Sequence, residues 1–218
     1  MNITILAAHA DDETLGAGGL IPKMVTAGHD ISIVLASDGH IKARAEGIYN
    51  LLHFEQACAF LGVKDLKYLG FEDQYFDKYP IADIANKALK AINDPDIIIS
   101  HVATDLNKDH QIMCEVAKIV GRPKKKPISL LGMEIANTSA WNGQAFPANF
   151  YVDITETIAQ KIKAFSFYQN EVTHFPYPYS LKGIEVLAQY RGMEAGCLYA
   201  EAYQVIRMYP QHSLFFAI

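Results

Sequence analysis

The chain has 218 residues and a formal charge of −5, with half its residues hydrophobic and a fifth charged. That length suits one domain with a large core, and the acidic balance argues against a surface built to hold nucleic acid. No apolar run approaches the ~20 residues of a membrane-spanning helix.

Ile3 to Ala8 is an apolar run that reads as a short buried strand. Behind it stand His9, Ala10, Asp11, Asp12 and Glu13, then the small, helix-compatible run Thr14 to Gly19. A histidine and three consecutive carboxylates at the edge of a core are costly, because like charges that close raise one another's pKa unless a cation holds them. In the turn between strand and helix, His9 and Asp12 can converge on one point while Asp11 projects beside them. That division suits a catalytic metal, which needs about three protein ligands, an open position and a separate base. The plainer reading is a helix cap, with Asp12 or Thr14 at the N-cap and His9 merely packed.

Further along, Thr14 to about Ala27 reads as one helix with Pro22 inside it, and Ile31 to Ala36 as the second strand, ending at Asp38. A helix is expected from about Ile48 to Leu61, a third strand at Leu66 to Leu69, and a polar loop around Asp73. Ile81 to Ile92 has helical apolar spacing, and Asp96 to Ser100 is the clearest buried strand, ending at His101. The next helix is expected from about His110 to Val120, followed by a basic turn, Gly121 to Pro127, at the end opposite the site. Ile128–Leu131 and Asn149–Val152 read as strands, Thr155 to about Tyr168 and Leu181 to Ala195 as helices. His174 to Tyr179 is proline-broken and aromatic, suited to a wall, a lid or a rigid connection. The segment from Tyr199 onward fits no element clearly.

Alternation of strand and helix argues for an α/β fold: a Rossmann-like three-layer sandwich around a mostly parallel sheet, whose ligands bind beyond the carboxyl ends of the strands. His9, Asp11, Asp12, Asp38, Asp73, His101 and His110 all fall at or just after such ends. For a third metal ligand the candidates are His40, His53, His101, His110 and His174. His110 is best placed, in a loop entering a helix, with His101 as its competitor.

The run His9-Ala10-Asp11-Asp12-Glu13 with Thr14 to Gly19, together with Asp109-His110, resembles the PIG-L/LmbE-type zinc-dependent N-deacetylases, whose first motif usually reads His-Pro-Asp-Asp-Glu. Fainter echoes at Leu61-Gly62, Phe71 to Asp73, Tyr168-Gln169, Arg191-Gly192 and Ala200-Glu201-Ala202 extend the resemblance over nearly the whole chain, read as one domain, residues 1–218. The resemblance implies that His9, Asp12 and His110 hold Zn2+, or another divalent ion such as Fe2+, and that Asp11 is the general base. Asp109 would tune the imidazole beside it. Ala10 stands where proline is usual. Asn107 stands where some members carry a second histidine, which leaves the Asn107 amide or His101 to assist the developing oxyanion.

The implied activity is hydrolysis of the acetyl group from an N-acetylated sugar or sugar conjugate, releasing acetate and an amine. The alternative is an amide of the mycothiol or bacillithiol type. Asp38, Arg44, Asp73, His101, Trp141 and Arg191 are the candidates for substrate contact. Two rivals fare less well: a nucleotide site, because three carboxylates in the turn would repel a pyrophosphate, and a sugar-binding protein without chemistry, because ligands and base are intact. The first basic residue is Lys23 and the leading apolar run is broken at His9, so the N-terminus does not read as a signal peptide. Cys58, Cys114 and Cys197 form no pair motif. A cytoplasmic enzyme is therefore expected, with a homo-oligomer left open.

Overall fold

The computed structural model describes residues 1–40 and 49–213. A seven-stranded sheet is built from β1 (Asn2–Ala7), β2 (Asp30–Ser37), β3 (Asp65–Phe71), β4 (Ile97–Ser100), β5 (Ser129–Met133), β6 (Phe150–Asp153) and β7 (Ala200–Arg207), in the order β3-β2-β1-β4-β5-β7-β6. The first five pair in parallel; β7 runs antiparallel to both β5 and β6. The expected Rossmann-like α/β architecture is what the chain adopts.

Alternate residues of the central strands enter two separate cores, as the period-2 pleat requires. Ile3, Ile5, Ile97 and Ile99 pack on one face with α1 (Asp12–Ala17), α2 (Leu20–Thr26), α3 (Leu51–Phe60), α7 (Ile158–Phe165) and α8 (Leu181–Ala195). Leu6, Val34, Ile98 and Leu130 face α4 (Ile81–Ala91) and α5 (Lys108–Val120). Burial on both faces is why β1 and β4 read as unbroken apolar runs. One-turn helices α6 (Ala136–Ser139) and α9 (Pro210–Ser213) complete the fold.

The single helix expected from Thr14 to Ala27 is instead two, α1 and α2, parted at Gly18-Gly19. A Cβ on Gly19 would lie 2.7–2.8 Å from Ile154, so only glycine lets the chain pass there. The new helix start is capped from a distance: the buried Glu201 carboxylate accepts the N–H groups of Gly19 and Leu20 at 2.8 and 2.9 Å. Pro22 is then the third residue of α2, where its missing N–H costs nothing. Glu201 lies on β7, within the segment that the sequence left unplaced. Helix α7 is shorter than expected, Ile158–Phe165. The basic turn before β5 does lie at the strands' amino ends, where Lys126 pairs with Asp96 at 2.8 Å.

Strands β2 and β3 lie to one side of β1, β4 and β5 to the other, so the crevice between the ends of β1 and β4 is the topological switch point. Among the described residues, no helix is long and apolar enough to cross a membrane.

Candidate metal centre

The turn after β1 places His9 and Asp12 at that crevice, and the start of α5 brings His110 to meet them. Nδ1 of His9 and Nε2 of His110 approach to 3.1 Å. The Asp12 carboxylate lies 3.6 Å from the first and 3.4 Å from the second. All three side chains are buried, and their ligating atoms lie within 4.8 Å of one another. Asp12 is aimed by the backbone: the His9 N–H donates to its Oδ2 at 2.7 Å.

The outward ring nitrogens meet carboxylates. Nε2 of His9 lies 3.1 Å from Oδ2 of Asp109, and Nδ1 of His110 lies 3.0 Å from Oδ2 of Asp105, close but off the ideal N–H line. Carboxylates behind both imidazoles put the protons on the outer nitrogens and the lone pairs on the point of convergence. Asp109 thus orients His9, not the adjacent His110 that the sequence suggested; the helix start turns its side chain across to the β1 loop. Asp105 is the partner that sequence reading missed. Its one linear signal is a carboxylate five residues before His110.

Asp11 occupies the N-cap position of α1 with φ 130°, yet its side chain makes no capping bond to the helix. Such a backbone is strained for a non-glycine residue, and here it turns a buried carboxyl into the cavity beside Asp12. Burial, then Asp12, Glu171, Glu13 and Asp73, push that carboxyl well above the usual range. Asp12 shifts the other way: burial opposes it, but His110 and His101 hold it well below. Burial would lower His110, but Asp12 and Asp105 raise it to about 10. Carboxylates so crowded call for positive charge among them, and the histidine–carboxylate donor set suits a divalent cation.

These groups line a cavity of about 130 Å3 together with Asp73, Gln74, Asn107, Asn137, Thr138 and Glu171, among others. Asn107 caps α5, its Oδ1 accepting the Asp109 N–H at 2.9 Å, while its amide donates to Gln74 at 3.2 Å. On α6 the buried Oδ1 of Asn137 has no hydrogen-bond partner among the described residues. Asn50 and Glu171, joined at 3.0 Å across 121 positions, close the opposite wall. No spacing in the sequence announces that pair.

Of the residues expected to touch substrate, Asp73 lines the cavity. His101 does not: it is fully buried behind Asp12, accepts the Ala8 N–H at 3.0 Å and stacks on His110, which removes it both as substrate contact and as oxyanion donor. Arg191 is also turned away, held by two bonds to Glu134 at 2.6 and 2.8 Å and one to Glu194 at 2.7 Å. Asp38 spends a carboxylate oxygen on the His40 N–H, and Trp141, 55% exposed, packs on Tyr177 outside the cavity. Arg44 lies outside the described residues. In the proline-rich segment, Tyr179 lines the cavity while Phe175 and Tyr177 face solvent.

A His-Asp-His donor set, a neighbouring carboxylate and a polar cavity at the switch point define the class: an α/β protein whose strand-end residues could hold a divalent cation. Residues 4–120 match the family described as PIG-L: GlcNAc-PI de-N-acetylase, and the chain belongs to that family. A relative from Bacillus cereus, described as a probable N-acetyl-alpha-D-glucosaminyl L-malate deacetylase 2, is 25% identical over 186 residues, 78% of this chain and 83% of that protein. The fold is shared with the N,N'-diacetylchitobiose deacetylase of Pyrococcus horikoshii (TM-score 0.77, 17% identity, covering 98% of this chain and 88% of that one). It is shared equally with GalB, the 4-carboxy-2-hydroxymuconate hydratase of Pseudomonas putida (TM-score 0.74, 18% identity, 95% and 97% covered).

Proposed function

We propose that this chain is a zinc-dependent N-deacetylase that hydrolyses the acetamide of an N-acetylated sugar or sugar conjugate. The observation that carries this reading is the convergence of His9, Asp12 and His110 beside the buried, uncapped carboxylate of Asp11. Membership of the deacetylase family and the deacetylase from Bacillus cereus support it. Fe2+ suits the same donor set.

His9, Asp12 and His110 would hold the cation, which when bound acidifies a coordinated water and polarises the amide carbonyl. Asp11 receives the water's proton as the nucleophile forms, and returns it to the departing amine. The Asn107 amide reaches the cavity and is the donor best placed for the oxyanion. Asn137, whose buried oxygen lacks a donor among the described residues, takes one from the substrate's N–H or hydroxyls. Asp73 and Glu171 offer further acceptors to sugar hydroxyls. Three free cysteines, two of them buried, fit a reducing cytoplasm.

The test is acetate release by the zinc-loaded protein over a panel of N-acetylated monosaccharides, disaccharides, glycosyl malates and thiol-conjugate amides. Asp11→Asn is expected to lose about 10²- to 10⁴-fold in kcat while keeping its metal. Full activity in that variant, or no acetate from any N-acetylated sugar, would overturn the reading.

A further inference from the structure

We infer that Asp105 is the positioning residue of His110, and that Thr138, on the cavity wall, holds Asp105 in place. This rests on reading His9, Asp12 and His110 as the metal ligands, and adds a link that runs from the cavity wall to one of them.

Among the described residues, no other carboxylate stands at the outward nitrogen of His110. One ring face stacks on His101, with centroids 4.0 Å apart and planes 22° from parallel. Asp109, its neighbour in sequence, is committed to His9 and to the Phe76 N–H at 3.0 Å. Asp105 stands at Nδ1, 3.0 Å away. Its carboxylate is 3% exposed and pinned from two further sides: Oδ1 accepts the Asn107 N–H and Oδ2 the Thr138 hydroxyl, each at 2.8 Å. The backbone is fixed as well, because the Gln111 side chain donates to the Asp105 carbonyl at 2.7 Å. The Thr138 hydroxyl has one proton and two acceptors in reach, Asp105 and the Ile135 carbonyl at 3.1 Å; the nearer, charged oxygen wins it.

A carboxylate so fixed sets the tautomer of His110, directs its Nε2 lone pair at the cation and raises its donor strength. Thr138 sits beside Asn137 on the single turn of α6. Substrate bound against that turn would therefore reach the metal ligand through the Thr138–Asp105 hydrogen bond and the Asp105–His110 contact.

His101, Asp105 and His110 also come within 4.8 Å as a group that could hold an ion of its own. Near-parallel stacking argues against this, because lone pairs of stacked rings do not converge on one point.

The experiment strips the metal and titrates Co2+ into wild type, Asp105→Asn, Thr138→Val, Thr138→Ser and His110→Ala, reading affinity by chelator competition and ligand field by visible absorption. Apo melting temperatures check that each variant folds. Asp105→Asn is expected to weaken Co2+ binding about 10- to 100-fold and shift the spectrum. Thr138→Val should lose about three- to ten-fold, with Thr138→Ser restored to within about twofold. Should Asp105→Asn fail to fold, the valine–serine pair alone decides. Unchanged affinity and spectrum in Asp105→Asn and Thr138→Val, while His110→Ala loses the ion, would overturn the inference. Two equivalents of Co2+ in wild type and one in Asp105→Asn would also overturn it, making Asp105 a ligand. A wild type that binds no Co2+ refutes the metal site itself.

Discussion

Oδ2 of Asp109 stands 3.1 Å from Nε2 of His9, across 100 positions of sequence, and it is this pairing that aims His9 at its partners. Removing the carboxylate frees the ring to rotate and to place its proton on the wrong nitrogen. Asp109→Asn is expected to weaken metal binding about 10- to 100-fold with the fold retained. Metal content after dialysis against a graded chelator checks this. Unaltered content would mean that packing alone fixes His9.

Chelation itself should destabilise the chain. An ion that binds only the folded form adds RT ln(1 + [L]/Kd), about 2.7 kcal/mol at a hundredfold excess over Kd. Calorimetry with and without chelator should show a lower Tm after stripping, restored by adding Zn2+. An identical Tm would contradict ion binding at the switch point.

Lys161 and Glu201 form a buried ion pair at 2.6 Å between α7 and β7, and Lys161 also donates to the Leu15 carbonyl at 2.7 Å. Cutting the lysine leaves Glu201 buried and charged. Lys161→Met should cost about 3–5 kcal/mol in urea unfolding, and adding Glu201→Gln should recover part of it. A loss below about 1 kcal/mol in the single variant would show that the other donors to Glu201, the Gly19 and Leu20 N–H groups and the Tyr203 hydroxyl, suffice.

Asp96 is partly buried at the strands' amino ends. Burial would raise its pKa, but the hydrogen bond from Lys126 and the Asn2 N–H bring it below the ordinary 3.8. A carboxyl depressed in the folded state stabilises fully above its unfolded value, and loses that contribution as pH falls through the lower folded one. Acid unfolding below about pH 4 should therefore be less steep in Asp96→Asn. The two side chains are 29% and 25% exposed, so water screens the pair and the effect at neutral pH stays within about 1 kcal/mol. Equal acid midpoints and slopes would dismiss the pair as a stabilising contact.

Much of this was legible in the chain itself. Apolar runs at Ile3–Ala8 and Asp96–Ser100 announce strands buried on both faces, because that pattern is local and periodic. The His9 to Glu13 block announces chemistry, because charge so crowded at a core edge demands a reason.

Assignments that depend on distance along the chain had to wait for the fold. Asp109 and His110 are adjacent in sequence, yet the helix start sends their side chains to different partners. The break between α1 and α2 is settled by Ile154 and Glu201, more than 130 positions away. Arg191 has a charge suited to substrate, but Glu134, equally invisible to any local pattern, claims it. Local periodicity determined which segments become strands and helices and where the reactive residues cluster. Which carboxylate serves which histidine was decided only when the β1 and β4 ends met, since that depends on side-chain direction across the crevice.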